Sequence, residues 1–184
     1  MGGKDAGMPH YIRPKLPGAC VFFTVNLVDR GADTLVRHVD MLRQAVAVTK
    51  GKRPFGIEAW VVLPDHMHCV WTLPEGDADY SGRWREIKGQ FSMALRRSGR
   101  APTHVADNPY GARGGRLRVG ARPDLRDEAP IWQKRFWEHH IRNDEDFAAH
   151  VRYCWINPVK HGLAGHPREW PYSSWHRDAG GAVG

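Results

Sequence analysis

Two runs of strand-forming residues meet across Pro64-Asp65, and this limits the chain more than any other local feature. Residues 57–63 (IEAWVVL) and 66–73 (HMHCVWTL) are rich in β-branched and aromatic side chains. A two-residue turn joins strands only as an antiparallel hairpin, because a parallel pair needs a long crossover. An all-parallel sheet is therefore excluded. Around the hairpin, residues 20–27 (CVFFTVNL) read as a buried strand. Leu35, Val39, Leu42 and Val46 fall at helical spacing behind Asp33, predicting a capped helix that ends near Lys50. Residues 81–97 predict a basic amphipathic helix, with Trp84, Ile87, Phe91 and Ala94 on one stripe. Residues 131–142 resume strand character. Asn143-Asp144-Glu145-Asp146 then caps a last helix that runs through Phe147, Val151 and Cys154 to about Asn157, where Pro158 is expected to stop it. The order strand, helix, strand, strand, helix, strand, helix predicts an α+β fold. Its natural form is a ferredoxin-like or RRM-like antiparallel sheet with helices packed mainly on one face.

With 184 residues, 41% hydrophobic and 26% charged, the chain has globular composition and the size of one domain. Residues 20–178 form that domain. Residues 1–19 read as a flexible basic arm, 98–130 as a long mobile basic loop and 179–184 as a loose tail. The 27 Lys and Arg against 20 Asp and Glu leave a net charge of +7, which points to a polyanionic partner such as nucleic acid. No apolar run is long enough for a transmembrane helix, and the N-terminus lacks the apolar centre of a signal peptide. Cys20, Cys69 and Cys154 form no CxxC pair, which fits a reducing cytoplasm and excludes a disulfide framework.

The chemistry concentrates in two places. On a strand, side chains two apart share a face, so His66 and His68 stand together, while Met67, Cys69, Trp71 and Leu73 point to the core. Two adjacent imidazoles can converge on a divalent metal; taken alone, such a pair is better explained by partly solvated surface histidines, since a site usually needs three or more ligands. On the last helix, a wheel started at Phe147 gathers Val151, Cys154 and Trp155 and leaves Tyr153 nearly opposite, with Asn157 one turn further on. A tyrosine on the polar side of a helix either packs against another element or acts. Tyrosine is a competent nucleophile, and attack on a phosphodiester needs the phosphate charge offset.

At these residues the chain resembles a known family. The runs AWVVLPDHMHCVWTLPEGDADYSGRWREIKGQF, WQKRFWEHHIRNDEDFAAHVRYCWINPVKHGL and EWPYSSWHRD occur in the order found in the REP-associated tyrosine transposases, members of the His-hydrophobic-His superfamily of single-strand nucleases. The likeness covers roughly residues 10 to 178 apart from the loop, where family members have a short linker. It implies that His66 and His68 bind the metal, that Tyr153 is the nucleophile and that Asn157 completes the metal site, with Mg²⁺ or Mn²⁺ as the ion.

The resemblance further implies a single-stranded DNA endonuclease and strand transferase acting on repetitive extragenic palindromic hairpins. Tyr153 would attack a phosphodiester, become joined to the 5′ phosphate and release a 3′ hydroxyl. Candidate DNA contacts are Arg13 and Lys15 in the arm and Arg83, Arg85 and Lys88 on the basic helix. Glu138, His139 and His140 read as surface or packing residues. The protein is expected in the bacterial cytoplasm, associated with the nucleoid, as a monomer or homodimer. The alternatives are a domesticated, non-catalytic nucleic-acid-binding module and a metal-dependent hydrolytic nuclease.

Overall fold

The computed structural model describes residues 16–99 and 130–179. Strand β1 (Cys20–Asn26) leads through a short helix α1 (Thr34–Arg37) into α2 (Val39–Lys52). The hairpin β2 (Gly56–Val62) and β3 (His66–Thr72) follows, then α3 (Tyr80–Ser98), β4 (Trp137–His140) and α4 (Asp144–Lys160). The sheet runs β2-β3-β1-β4, with every neighbouring pair antiparallel. This is the expected ferredoxin-like arrangement.

The alternation read from β3 governs how the sheet is covered. Val21, Phe23, Val25, Met67, Cys69 and Trp71 face α2 and α3 and build the larger core with Leu42, Trp84, Ile87 and Phe91. Trp71 stacks on Trp84 with ring centroids 4.2 Å apart. The other face carries Phe22, Ala59, Val61 and Val70, against which α4 packs through Cys154. Two of the three long helices thus share one face, and the third crosses the opposite one.

Several boundaries differ from the sequence reading. The first helix is split at His38 (φ −117°, ψ 33°), and Asp33 makes no capping bond; its carboxylate instead pairs with Arg37 at 2.9 Å. Residues 131–142 contain only four strand residues, since Trp132 makes an isolated bridge to Leu27. Trp132 and Phe136 turn into the core instead, meeting Phe91 and Phe23 at 5.3 and 5.7 Å. The last helix does not stop at Pro158 but continues to Lys160. A proline in the final turn removes one backbone donor and leaves its carbonyl usable. Leu163 N donates to Pro158 O (2.9 Å) and His161 N to Asn157 O (3.0 Å). The stop comes at Gly162, whose φ of 67° lies in the left-handed region that ends many helices.

The C-terminal segment follows the free edge of β2. Val62 N donates to Tyr172 O at 2.9 Å, Ser174 N to Trp60 O at 2.7 Å, and the buried Trp170 indole to Val62 O at 2.9 Å. An edge strand that would otherwise invite foreign pairing is thereby covered.

Candidate active site

His66 and His68 lie on the α4 side of β3, 5% and 4% exposed, with ring centroids 5.1 Å apart. Each has one ring nitrogen already occupied. His66 Nδ1 is 2.5 Å from the Asp65 carboxylate, and His68 Nδ1 is 2.9 Å from Thr24 Oγ1, which the β1 register places directly opposite. Holding Nδ1 orients the ring and aims Nε2 at whatever the site binds, the usual support for a metal-ligating histidine. Burial pushes the His68 imidazole down to about 3, helped by the positive potential of His66, His161 and Arg30. Burial also lowers His66, with Asp65 opposing. Both rings are therefore neutral near pH 7, the form that ligates metal.

Helix α4 brings the other two residues to the same place. Asn143 caps it by accepting from Asp146 N at 2.9 Å, and Asp144, Glu145 and Asp146 complement the helix dipole. The helix presents Cys154, Asn157 and Pro158 to the sheet, while Phe147, Val151 and Trp155 are half-buried. Tyr153 sits at the rim of this contact and not on the far side as the wheel suggested. It is 38% exposed, yet its ring lies 5.1 Å from His68 and 5.8 Å from Phe22. The Asn157 side chain is 1% exposed and lies beside His68, and its Oδ1 has no hydrogen-bond partner. An orphaned buried acceptor costs about 1–3 kcal/mol unless something fills its demand. Two free Nε2 atoms and one free amide oxygen fit a divalent cation.

Three residues near the site were missed by the sequence reading. His161 packs its ring 5.0 Å from His66, Lys160 holds Nζ 4.7 Å from the centre of the Tyr153 ring, and Arg30 pairs with Asp65 at 3.4 Å. Lys160 and His161 were missed because the helix was expected to end before them, although Gly162 signals the true end. Arg30 carries no local signal.

His139 is more than a packing residue. With Asp146 and His150 it forms a cluster whose ligand atoms lie within 4.8 Å of one another, a second arrangement able to hold a metal. His139 Nε2 is 2.8 Å from Asp146 Oδ2, and His150 Nδ1 is 2.9 Å from Asp146 O. The two imidazoles stack at 4.6 Å. These contacts tie the first turn of α4 to β4 and so help to set where Tyr153 falls. Glu138 is buried on the opposite face.

Among the candidate DNA contacts, Arg83 is corrected. It is 1% exposed, its guanidinium bonds Asp77 (2.6 Å) and the backbone oxygens of Arg53, Pro54 and Asp79, and it has no reach to a phosphate. Arg85 is exposed. Lys88 is half-buried, donates to Gln133 O at 3.1 Å and lies over the Trp132 and Phe136 rings. Arg13 and Lys15, residues 100–129 of the basic loop and the tail residues 180–184 lie outside the described residues.

A tyrosine exposed beside two neutral imidazoles and an unpaired amide oxygen, on a ferredoxin-like sheet, has the chemistry that an enzyme acting on phosphodiesters would need: donors for a divalent cation next to a phenol. Comparison with known proteins gives this class a family. No family model matches the chain. The REP-associated tyrosine transposase of Escherichia coli strain K12 is 46% identical over 171 residues, covering 93% of this chain and 85% of that protein. A Haemophilus influenzae protein assigned to the same family is 37% identical over 93% of this chain and 88% of its own length. A solved structure of a REP-associated tyrosine transposase bound to a REP hairpin superposes with a TM-score of 0.76 at 44% identity, covering 96% of this chain and 88% of that one. The chain belongs to the REP-associated tyrosine transposases. It is accordingly a DNA-acting tyrosine transposase of a family that implies a divalent metal. No helix among the described residues is long and apolar enough to cross a membrane.

Proposed function

We propose that this protein binds the hairpins of repetitive extragenic palindromes and cleaves and joins single-stranded DNA beside them, with Tyr153 as the nucleophile. The observation that carries the reading is the convergence of an exposed phenol on His66, His68 and the unpaired Oδ1 of Asn157. Tyr153 Oη attacks phosphorus, the Oη–P bond forms and the P–O3′ bond breaks. The phenolic proton leaves to solvent, and the departing 3′ oxygen takes one up. The products are a 5′-phosphotyrosine and a 3′ hydroxyl; because a phosphodiester-like bond is retained, rejoining by another 3′ hydroxyl needs no external energy source.

His66, His68 and Asn157 would hold Mg²⁺ or Mn²⁺, whose chemistry when bound is to offset charge on the phosphate. The sheet supplies rigidity: Thr24 and Asp65 keep the imidazoles from rotating, and burial keeps them neutral. The rim position of α4 leaves Tyr153 open to a strand arriving from solvent. Arg85 and Lys88, with Arg13 and Lys15 in the arm, would position DNA through its phosphates. The protein would act on the nucleoid in the bacterial cytoplasm, as a monomer or homodimer.

The test is incubation with a labelled hairpin oligonucleotide and Mn²⁺, followed by a denaturing gel. A slow-migrating protein–DNA species that disappears in Tyr153→Phe supports the reading. Cleavage without adduct would instead indicate a hydrolytic nuclease, and binding without cleavage a non-catalytic module.

A further inference from the structure

The extension of α4 past Pro158 gives the helix a face outside the sheet contact. Ala149, the adjacent pair Arg152 and Tyr153, then Ile156 and Lys160 recur three or four residues apart and form one stripe. With Trp155, and with Pro167 and Trp175 of the C-terminal segment, they line an open groove of about 470 Å³. The lining holds two cations, three aromatic rings and no carboxylate. Among the described residues, no carboxylate pairs with Arg152 or Lys160, whereas the buried Arg83 is fully engaged. Ile156 and Tyr153 rank among the exposed large hydrophobics, at 36% and 38%. Lys160 Nζ lies over the face of the Tyr153 ring at 4.7 Å, on the nucleophile itself.

A groove of this size takes a small ligand and excludes a duplex. Cations spaced among aromatic faces, with no acid, complement a single strand, whose phosphates and bases alternate. We propose that this groove seats the unpaired DNA next to the scissile phosphate, that Lys160 is a further catalytic residue contacting an oxygen of that phosphate, and that Trp175 stacks a flanking base. The inference rests on the role of Tyr153 proposed above. As the Oη–P bond forms and P–O3′ breaks, the Lys160 side chain offsets charge spreading over the phosphate oxygens. Such a fixed charge acts most strongly where charge develops.

Two measurements separate this inference from the reading beneath it. Adduct formation is timed on a hairpin carrying a single-stranded flank, with Mn²⁺. Lys160→Gln should slow it about 100-fold with little change in affinity, and Lys160→Arg should restore most of the rate. Binding is measured without metal by fluorescence anisotropy in the Tyr153→Phe background, where no cleavage intervenes. There, adding Trp175→Ala should weaken the flanked hairpin about tenfold and leave a blunt hairpin unchanged, while Trp175→Phe retains the preference; Arg152→Gln should flatten the salt dependence by about one charge. The inference is overturned if Lys160→Gln forms adduct at the parent rate, or if Trp175→Ala weakens flanked and blunt hairpins alike. If no protein forms adduct but Trp175→Ala still loses the flank preference, the Tyr153 reading and the catalytic role of Lys160 fail together while the strand-seating groove stands.

Discussion

The two faces of the sheet are built from alternate residues of the same strands and are used in opposite ways. On the α2 and α3 face, β3 contributes Met67, Cys69 and Trp71, all fully buried among aromatic and aliphatic side chains. Burying each large apolar side chain there is worth about 1.5–3 kcal/mol. On the α4 face the same strand contributes His66 and His68, equally buried but beside an amide oxygen with no partner and a half-open phenol. Burial on that side removes charge from imidazoles at a cost in stability. One face holds the protein together, and the other spends part of that stability on a poised polar site.

The sharpest way to break this comparison is at Tyr153. Tyr153→Phe should abolish the protein–DNA adduct entirely on a denaturing gel and leave the thermal midpoint close to the parent, since the ring contacts survive and the phenol is exposed. Residual adduct would remove Tyr153 from the chemistry. Next come neighbours on β3. Trp71→Ala should cost about 4 kcal/mol in urea unfolding. His68→Ala should cost about 1 kcal/mol or less in urea unfolding with EDTA, and with Mn²⁺ present should slow adduct formation about 100-fold or more. Equal losses of stability at the two positions would erase the division between the faces. Chelation itself should stop adduct formation and leave the unfolding curve of the parent in place.

The comparison extends to cations. Arg83→Met should destabilise by about 3 kcal/mol, because it strips a buried partner from Asp77. Arg85→Gln should change stability by no more than about 0.5 kcal/mol and reduce the salt slope of DNA binding by about one. The smallest effect is in acid. Hydrogen bonding to Arg83 holds the Asp77 carboxyl at about 2, below its ordinary 3.8. A depressed carboxyl contributes stability that is complete above the unfolded value and lost as the pH falls through the folded one. Asp77→Asn should thus be less stable than the parent at pH 7, with the gap closing between about pH 4 and pH 2 in urea titrations. A gap that stayed constant would mean that the pair contributes nothing through its charge.

Local signals sufficed where local physics decides. The period-two pattern of β3 separated the histidines from the core, and Asn143 followed by three acids marked the start of α4. The Trp84, Ile87 and Phe91 stripe identified the buried side of α3, yet Arg83 joins that side because Asp77 and three backbone carbonyls satisfy it. No window of sequence reveals that those acceptors will gather there. Trp132 and Phe136 carried a strand-like pattern but turned into the core, because α3 offered apolar surface to bury. Pro158 was overweighted as a terminator, since in the last turn it removes only one hydrogen bond.

The chain by itself determined the antiparallel hairpin, the sharing of one face by His66 and His68, and the one-turn spacing of Tyr153 and Asn157, because each follows from backbone periodicity. Tertiary structure alone decided that α4 crosses that face, that its asparagine meets His68 while its tyrosine stays at the rim, and that Lys160 comes to rest over the phenol ring. Those distances depend on how α4 docks on β2 and β3 and on the ties from its first turn to β4, contacts between residues far apart in the chain.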